Sequence, residues 1–66
     1  MGITMKQARI GINATQQEIA DKLGVHVQTY MRMEKHPEDL TIKQAIAFSE
    51  ITGVPIQVIF FDSDSN

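Results

Sequence analysis

Thr15 to Lys35, TQQEIADKLGVHVQTYMRMEK, spells two short helices joined by a tight turn at Gly24. The Thr15 side-chain oxygen can cap the first helix, and Glu18, three residues on, completes a capping box. Ile19, Ala20 and Leu23 then fall on one face at helical spacing. Gly24 reaches positive φ at little cost, so the first helix ends there and the chain turns sharply. Val25 is apolar and tucks inward. The second helix carries Tyr30 and Met33 at i and i+3, which sets its buried side. Helix, sharp turn, helix is the pattern of a motif whose second helix lies in the DNA major groove.

These residues resemble the helix-turn-helix of the phage Cro and repressor (XRE-like) family. Thr15-Gln16, Glu18-Ile19-Ala20, Leu23-Gly24-Val25, Gln28-Thr29, Arg32, Glu34 and Gly53-Val54 carry the resemblance as an ordered set. It extends from about Met5 to Phe60. The resemblance implies an all-α, compact five-helix, lambda-repressor-like DNA-binding domain with the helix-turn-helix at its second and third helices.

Outward from the motif, Thr4 caps a first helix from Met5 to about Ile12, with Met5, Ala8 and Ile12 facing inward. Asn13 ends it, because Asn substitutes for Gly at the left-handed position after a helix. Pro37 disfavours helix at His36, so the third helix stops near Lys35 and His36 to Asp39 form a loop. A fourth helix runs from about Thr41 to Thr52, capped by Thr41 or Asp39, with Ile42, Ala45, Ile46, Ser49 and Phe48 as its inward face. Gly53 closes it, and Pro55 opens a fifth helix to about Phe61, where its missing N–H costs nothing. Residues 1–61 form one domain after a frayed lead-in at residues 1–4, and 62–66, DSDSN, hold too little apolar surface to fold.

Sixty-six residues bury only about 60% of the surface that the unfolded chain exposes, so a monomer is marginal and pairing with a second copy would help. There is no cysteine to staple the fold with a disulfide or hold a metal by thiolate. No apolar run approaches the ~20 residues that span a bilayer, and the N-terminus lacks the layout of a signal peptide. A soluble cytoplasmic protein without cofactor is the expectation. The two histidines lack ligand-spaced partners, no phosphate-binding glycine loop is present, and no nucleophile sits beside a base, so neither a metal site nor an enzyme is expected.

Six Lys and Arg face eight Asp and Glu, a net charge of −2. Counterion release needs cations near phosphates, so their distribution matters more than the total. All six basic residues precede residue 44, with five acidic ones (Glu18, Asp21, Glu34, Glu38, Asp39), leaving +1 there and −3 beyond.

Sequence is read by side chains that reach base edges. With Val25, Tyr30 and Met33 turned inward, the outward set of the third helix is Val27, Gln28, Met31, Arg32 and Lys35. Gln28 suits adenine N6 and N7. Arg32 can fork onto guanine O6 and N7 or fall onto a phosphate, and Val27 offers a surface to a thymine methyl. An ordinary polar helix face would use the same residue types, since Gln and Arg are good helix formers anywhere. The resemblance adds that these three positions touch bases. Gln16 starts the second helix, where backbone N–H groups favour a phosphate, and the resemblance gives it that role.

Other contacts stay open. Gln17 can contact the DNA backbone beside Gln16 or serve in capping alone; Thr29 can donate to a phosphate or bond back to its own helix; Lys35 and Lys43 can contact phosphates or stay solvated. His26 stands where the family usually has a small capping residue and would contact a phosphate. Met31 can pack on bases or a sugar, or obstruct docking. The resemblance also pairs Arg9 with Glu34; a bidentate bridge would lock the first helix to the third. Tyr30 replaces an aliphatic core residue, and its hydroxyl needs a partner if buried. In the fifth helix, PIQVIFF, Ile56, Ile59 and Phe60 reach the core, but Val58 and Phe61 cannot also do so. An apolar patch on so small a domain marks an interface, and the resemblance places a twofold contact there, with Pro37 or Leu40 nearby. The expected function is a transcriptional regulator, Cro-like or repressor-like, that binds near-palindromic operators as a homodimer. The alternative is an antitoxin-like protein-interaction module of the same fold, which the acidic balance would suit. A protein partner, toxin or polymerase, is left open.

Overall fold

Threonine starts three of the helices. In a computed structural model that describes residues 2–61, Thr4 precedes α1 (Met5–Gly11), Thr15 precedes α2 (Gln16–Leu23) and Thr41 precedes α4 (Ile42–Thr52). Each is a complete capping box. The threonine oxygen accepts the N–H of the third helical residue at 3.0 Å, and that residue's side chain accepts the threonine N–H at 2.8–3.0 Å. Gln7, Glu18 and Gln44 are the return acceptors. Glutamine works there as glutamate does, because a carbonyl oxygen is enough. The α3 helix (Val27–Lys35) starts at His26, which makes no capping bond.

The ends follow backbone chemistry. After α2, Gly24 sits at φ 74°. The Val25 N–H donates to Ala20 O at 3.0 Å and the Gly24 N–H to Asp21 O at 3.2 Å, a Schellman closure that also brings Val25 against the core. Gly53 ends α4 at φ 76°, and Asn13 turns the chain after α1 at φ 58°. The α1 helix closes one residue sooner than expected. Ile12 has left the helical phase at φ −106°, ψ 12° and is exposed rather than inward-facing. Pro37–Asp39 form a 3-10 turn, and a short π-wound helix, α5 (Gln57–Phe61), follows Pro55. The lead-in is anchored at Ile3, whose N–H donates to Val58 O at 3.3 Å. Residues 62–66, expected to be disordered, lie outside the described residues. Among the described residues no helix is long and apolar enough to cross a membrane.

The core joins Met5 and Ala8 of α1, Ile19 and Ala20 of α2, Tyr30 and Met33 of α3, and Phe48 of α4. Tyr30 stacks on Phe48 at 6.2 Å between ring centroids, and Phe60 meets Phe48 edge-on at 6.4 Å. Leu40, Val54 and Ile59 pack on the outside of this cluster.

The inward face of α4 differs from the expected one. Ile42 and Ile46 are 63% and 45% exposed, while Ala45, Phe48 and Thr52 are buried. At 3.6 residues per turn, Ile46 lies about 160° around the helix from Phe48, so the two cannot both face in. The larger aromatic surface wins, with rings waiting on both sides of it. Thr52 is tolerated inside because its hydroxyl donates to Phe48 O at 3.0 Å. Ser49 lies half-buried at the edge, where its hydroxyl donates to Val54 O at 2.6 Å.

Candidate nucleic-acid interface

Burying Tyr30 and Met33 fixes the roll of α3 and decides which side chains it presents outward. Gln28, Met31, Arg32 and Lys35 are exposed, and with His36 they line one open surface groove of about 290 Å³. Val27 is different. It is half-buried and packs against the core cluster, so only part of its isopropyl group faces out. Thr29 is half-buried on the other flank, beside Arg32, His36, Asp39, Thr41 and Gln44. His26 and Lys43 are exposed, and neither lines these two grooves.

Glu34 holds α3 in place. Its carboxylate accepts from Arg9 Nε at 2.7 Å, the Tyr30 hydroxyl at 2.6 Å and Gln16 Nε2 at 3.1 Å. One acceptor thus ties α1, α2 and α3 together. The Arg9–Glu34 contact is not the expected bidentate bridge. The second arm of the guanidinium instead donates from Nη1 to Ala14 O at 3.1 Å, which fixes the α1–α2 turn. Tyr30 finds its partner in the same carboxylate, and no buried side-chain polar atom among the described residues lacks one.

The electrostatics follow from that crowding. Burial pushes the Glu34 carboxyl up, but the bonds from Arg9, Tyr30 and Gln16 outweigh it and hold it below the usual range. The bond to Glu34 raises Arg9 further. Burial, then the bond to Glu34, pushes the Tyr30 hydroxyl far above its ordinary value. The trio therefore holds one fixed pair of opposite charges and a neutral phenol.

Two residues given phosphate roles by sequence are partly engaged within the chain. Gln16 gives one amide hydrogen to Glu34 and keeps the other, with its carbonyl, for an outside group. Gln17 donates to Asp21 one turn on at 2.9 Å. A larger groove of about 650 Å³ opens between α1 and α3. Lys6, Arg9, Asn13, Gln16, Met31 and Lys35 are among its walls. Lys6 lies outside the motif in sequence, and the tie between α1 and α3 through Arg9 and Glu34 brings it to this edge.

Four residues were expected at a twofold contact. Phe61 is exposed, while Pro37, Leu40 and Val58 are half-buried. Pro37 shares a groove with Ile59 of α5, and Leu40 packs against the core.

The chain belongs to the Cro/repressor-type helix-turn-helix family: the family model described as Helix-turn-helix matches residues 5–59. Proteins of this family are DNA-binding regulators of transcription. The chain is 38% identical over 60 residues to an uncharacterized HTH-type transcriptional regulator of Methanocaldococcus jannaschii, covering 91% of each chain. No solved structure matches.

Proposed function

We propose that this protein is a sequence-specific transcriptional regulator that lays α3 in the major groove of double-stranded DNA. The observation that carries this reading is the division of α3. Tyr30 and Met33 are locked in the core, while Gln28, Met31, Arg32 and Lys35 share one open face. In this reading Gln28 addresses adenine, Arg32 guanine, and the exposed part of Val27 a thymine methyl. Gln16, His26, Thr29, Met31, Lys35 and Lys43 set the register against backbone and sugar, and Gln17 helps once released from Asp21. A homodimer through Val58 and Phe61, flanked by Pro37 and Leu40, would place two α3 helices about 34 Å apart and so favour near-palindromic operators. Occupying such a site blocks a promoter in the manner of Cro or a repressor.

The test is selection of bound fragments from the source genome, followed by binding titrations on the selected duplex. Gln28→Ala and Arg32→Ala should each weaken specific binding by about 1–3 kcal/mol and relax preference at one base pair. Wild-type affinity in both variants would overturn the assignment of α3. A protein that binds no DNA at low salt but co-purifies with another protein would overturn the function itself.

A further inference from the structure

We propose that Lys6 of α1 joins Lys35 of α3 in gripping one DNA strand, so that its sugar-phosphate backbone runs through the groove between these two helices. The inference rests on the DNA-binding reading and adds to it a contact outside the helix-turn-helix. The groove is the larger of the two beside the exposed face of α3, about 650 Å³ against about 290 Å³, and Met31 and Lys35 line both. The two grooves thus adjoin at Met31 and Lys35, and a duplex seated on Gln28 and Arg32 brings one strand over this edge.

The charges inside the groove favour a polyanion. Its one carboxylate among the described residues is Glu34, which Arg9, Tyr30 and Gln16 already occupy and whose side chain is only 8% exposed. Arg9 and Glu34 cancel as a pair. That leaves the ammonium groups of Lys6 and Lys35, both on exposed residues, from facing walls. The amides of Asn13 and Gln16 and the hydroxyl of Thr15 complete the walls as neutral hydrogen-bonding groups. The opposite flank of α3 offers no such excess: Arg32 there shares its groove with Asp39. In a chain of net charge −2, two cations facing one trough with no competing free carboxylate form a local site for phosphodiester groups.

Each phosphate neutralised releases counterions, so each contact contributes about 0.9 to the slope of log K against log salt. The experiment is a salt titration of duplex binding by fluorescence anisotropy, using the full chain. Lys6→Ala should lower the slope by about 0.9 and weaken binding about eightfold at ~0.1 M salt. The loss should be equal on the selected duplex and on a random one, and Lys6→Arg should restore both slope and affinity. Lys22→Ala, an exposed lysine of α2 that lines neither groove, should leave the slope unchanged. An unchanged slope in Lys6→Ala, with salt-dependent binding by the wild type, overturns this inference alone. An equal fall in Lys22→Ala also overturns it, because the effect would then belong to total charge. Absence of salt-dependent binding by the wild type overturns the DNA-binding reading and this inference with it.

Discussion

Replacing Glu34 by alanine should be the most destabilising single truncation among the polar residues of this domain. The side chains of Arg9 and Glu34 are 11% and 8% exposed, so the pair lies largely out of water. Removing one partner of a buried pair costs about 3–5 kcal/mol, chiefly because the other charge is left unpaired. Here the loss also strands the Tyr30 hydroxyl and one Gln16 amide hydrogen. Arg9 can relax toward the groove it lines, which places the cost near the lower end, about 3 kcal/mol. A 66-residue domain has a total stability of about 3–10 kcal/mol. With a urea slope of about 1 kcal/mol/M, the midpoint should fall by about 3 M, or the variant should be unfolded without denaturant. Urea titration followed by circular dichroism reads this. The order of related variants makes the reasoning vulnerable. Arg9→Ala leaves Glu34 with two donors and should cost less, about 2 kcal/mol. Tyr30→Phe keeps the ring on Phe48 and should cost about 1.5 kcal/mol. If Arg9→Ala destabilises as much as Glu34→Ala, the carboxylate is not the common acceptor that organises the three helices.

Stability should also depend on pH through the same groups. Glu34 is depressed in the folded state, so its contribution is full above the unfolded value near 4.5 and is lost as pH falls through the lower folded value. Tyr30 is raised, so its contribution is full below about 10 and fades as pH rises beyond it; urea midpoints in Glu34→Gln should show a reduced acid-side dependence, since the exposed Glu38 is also held low. In α4, Ile46→Gln should change stability by less than about 0.5 kcal/mol, whereas Phe48→Ala should cost about 3–5 kcal/mol, and near-equal costs would restore the rejected helix phase. Gly24→Ala should cost about 1–2 kcal/mol because φ is positive there although space is open, which thermal unfolding would detect. Phe61→Asp should leave the monomer fold intact and shift sedimentation to the monomer; a wild type that sediments as a monomer at high concentration refutes the twofold contact.

How far the sequence could be read depended on whether a feature was local. Helix starts and stops lie in short-range chemistry: Thr15 with Glu18, Gly24, Asn13, Pro37 and Gly53 each act within a few residues. The Thr4–Gln7 and Thr41–Gln44 boxes obey the same short-range logic, with glutamine in the place of glutamate. The side of α4 that faces inward was less legible. Ile42, Ile46 and Phe48 are all strongly apolar and cannot all face in, and only the Tyr30 and Phe60 rings show why Phe48 takes the centre. The partial burial of Val27 and the third donor on Glu34 likewise depend on how α1, α2 and α3 meet in space. Lys6 is less legible still: the Arg9–Glu34 pairing sets the first helix beside the third, but only their packing in space shows the groove that Lys6 lines.

That same packing resolves the tension between an acidic chain and a nucleic-acid ligand. The acids that precede residue 44 are mostly occupied within the protein. Glu18 accepts the Thr15 N–H, Asp21 receives Gln17, Glu34 is surrounded by three donors, and Glu38 meets His36 at 3.3 Å. Of the five, Glu34 alone borders the groove that holds Lys6 and Lys35, and its charge is already paired there. The cations are placed differently: Lys6, Arg32 and Lys35 are exposed and edge the two grooves beside the outer side of α3. Folding therefore engages four of these five carboxylates in capping and internal pairing and leaves Lys6, Arg32 and Lys35 exposed beside the outer side of α3. On the proposed reading, a phosphate at that edge meets the local arrangement, so a net charge of −2 weakens long-range attraction without removing the site.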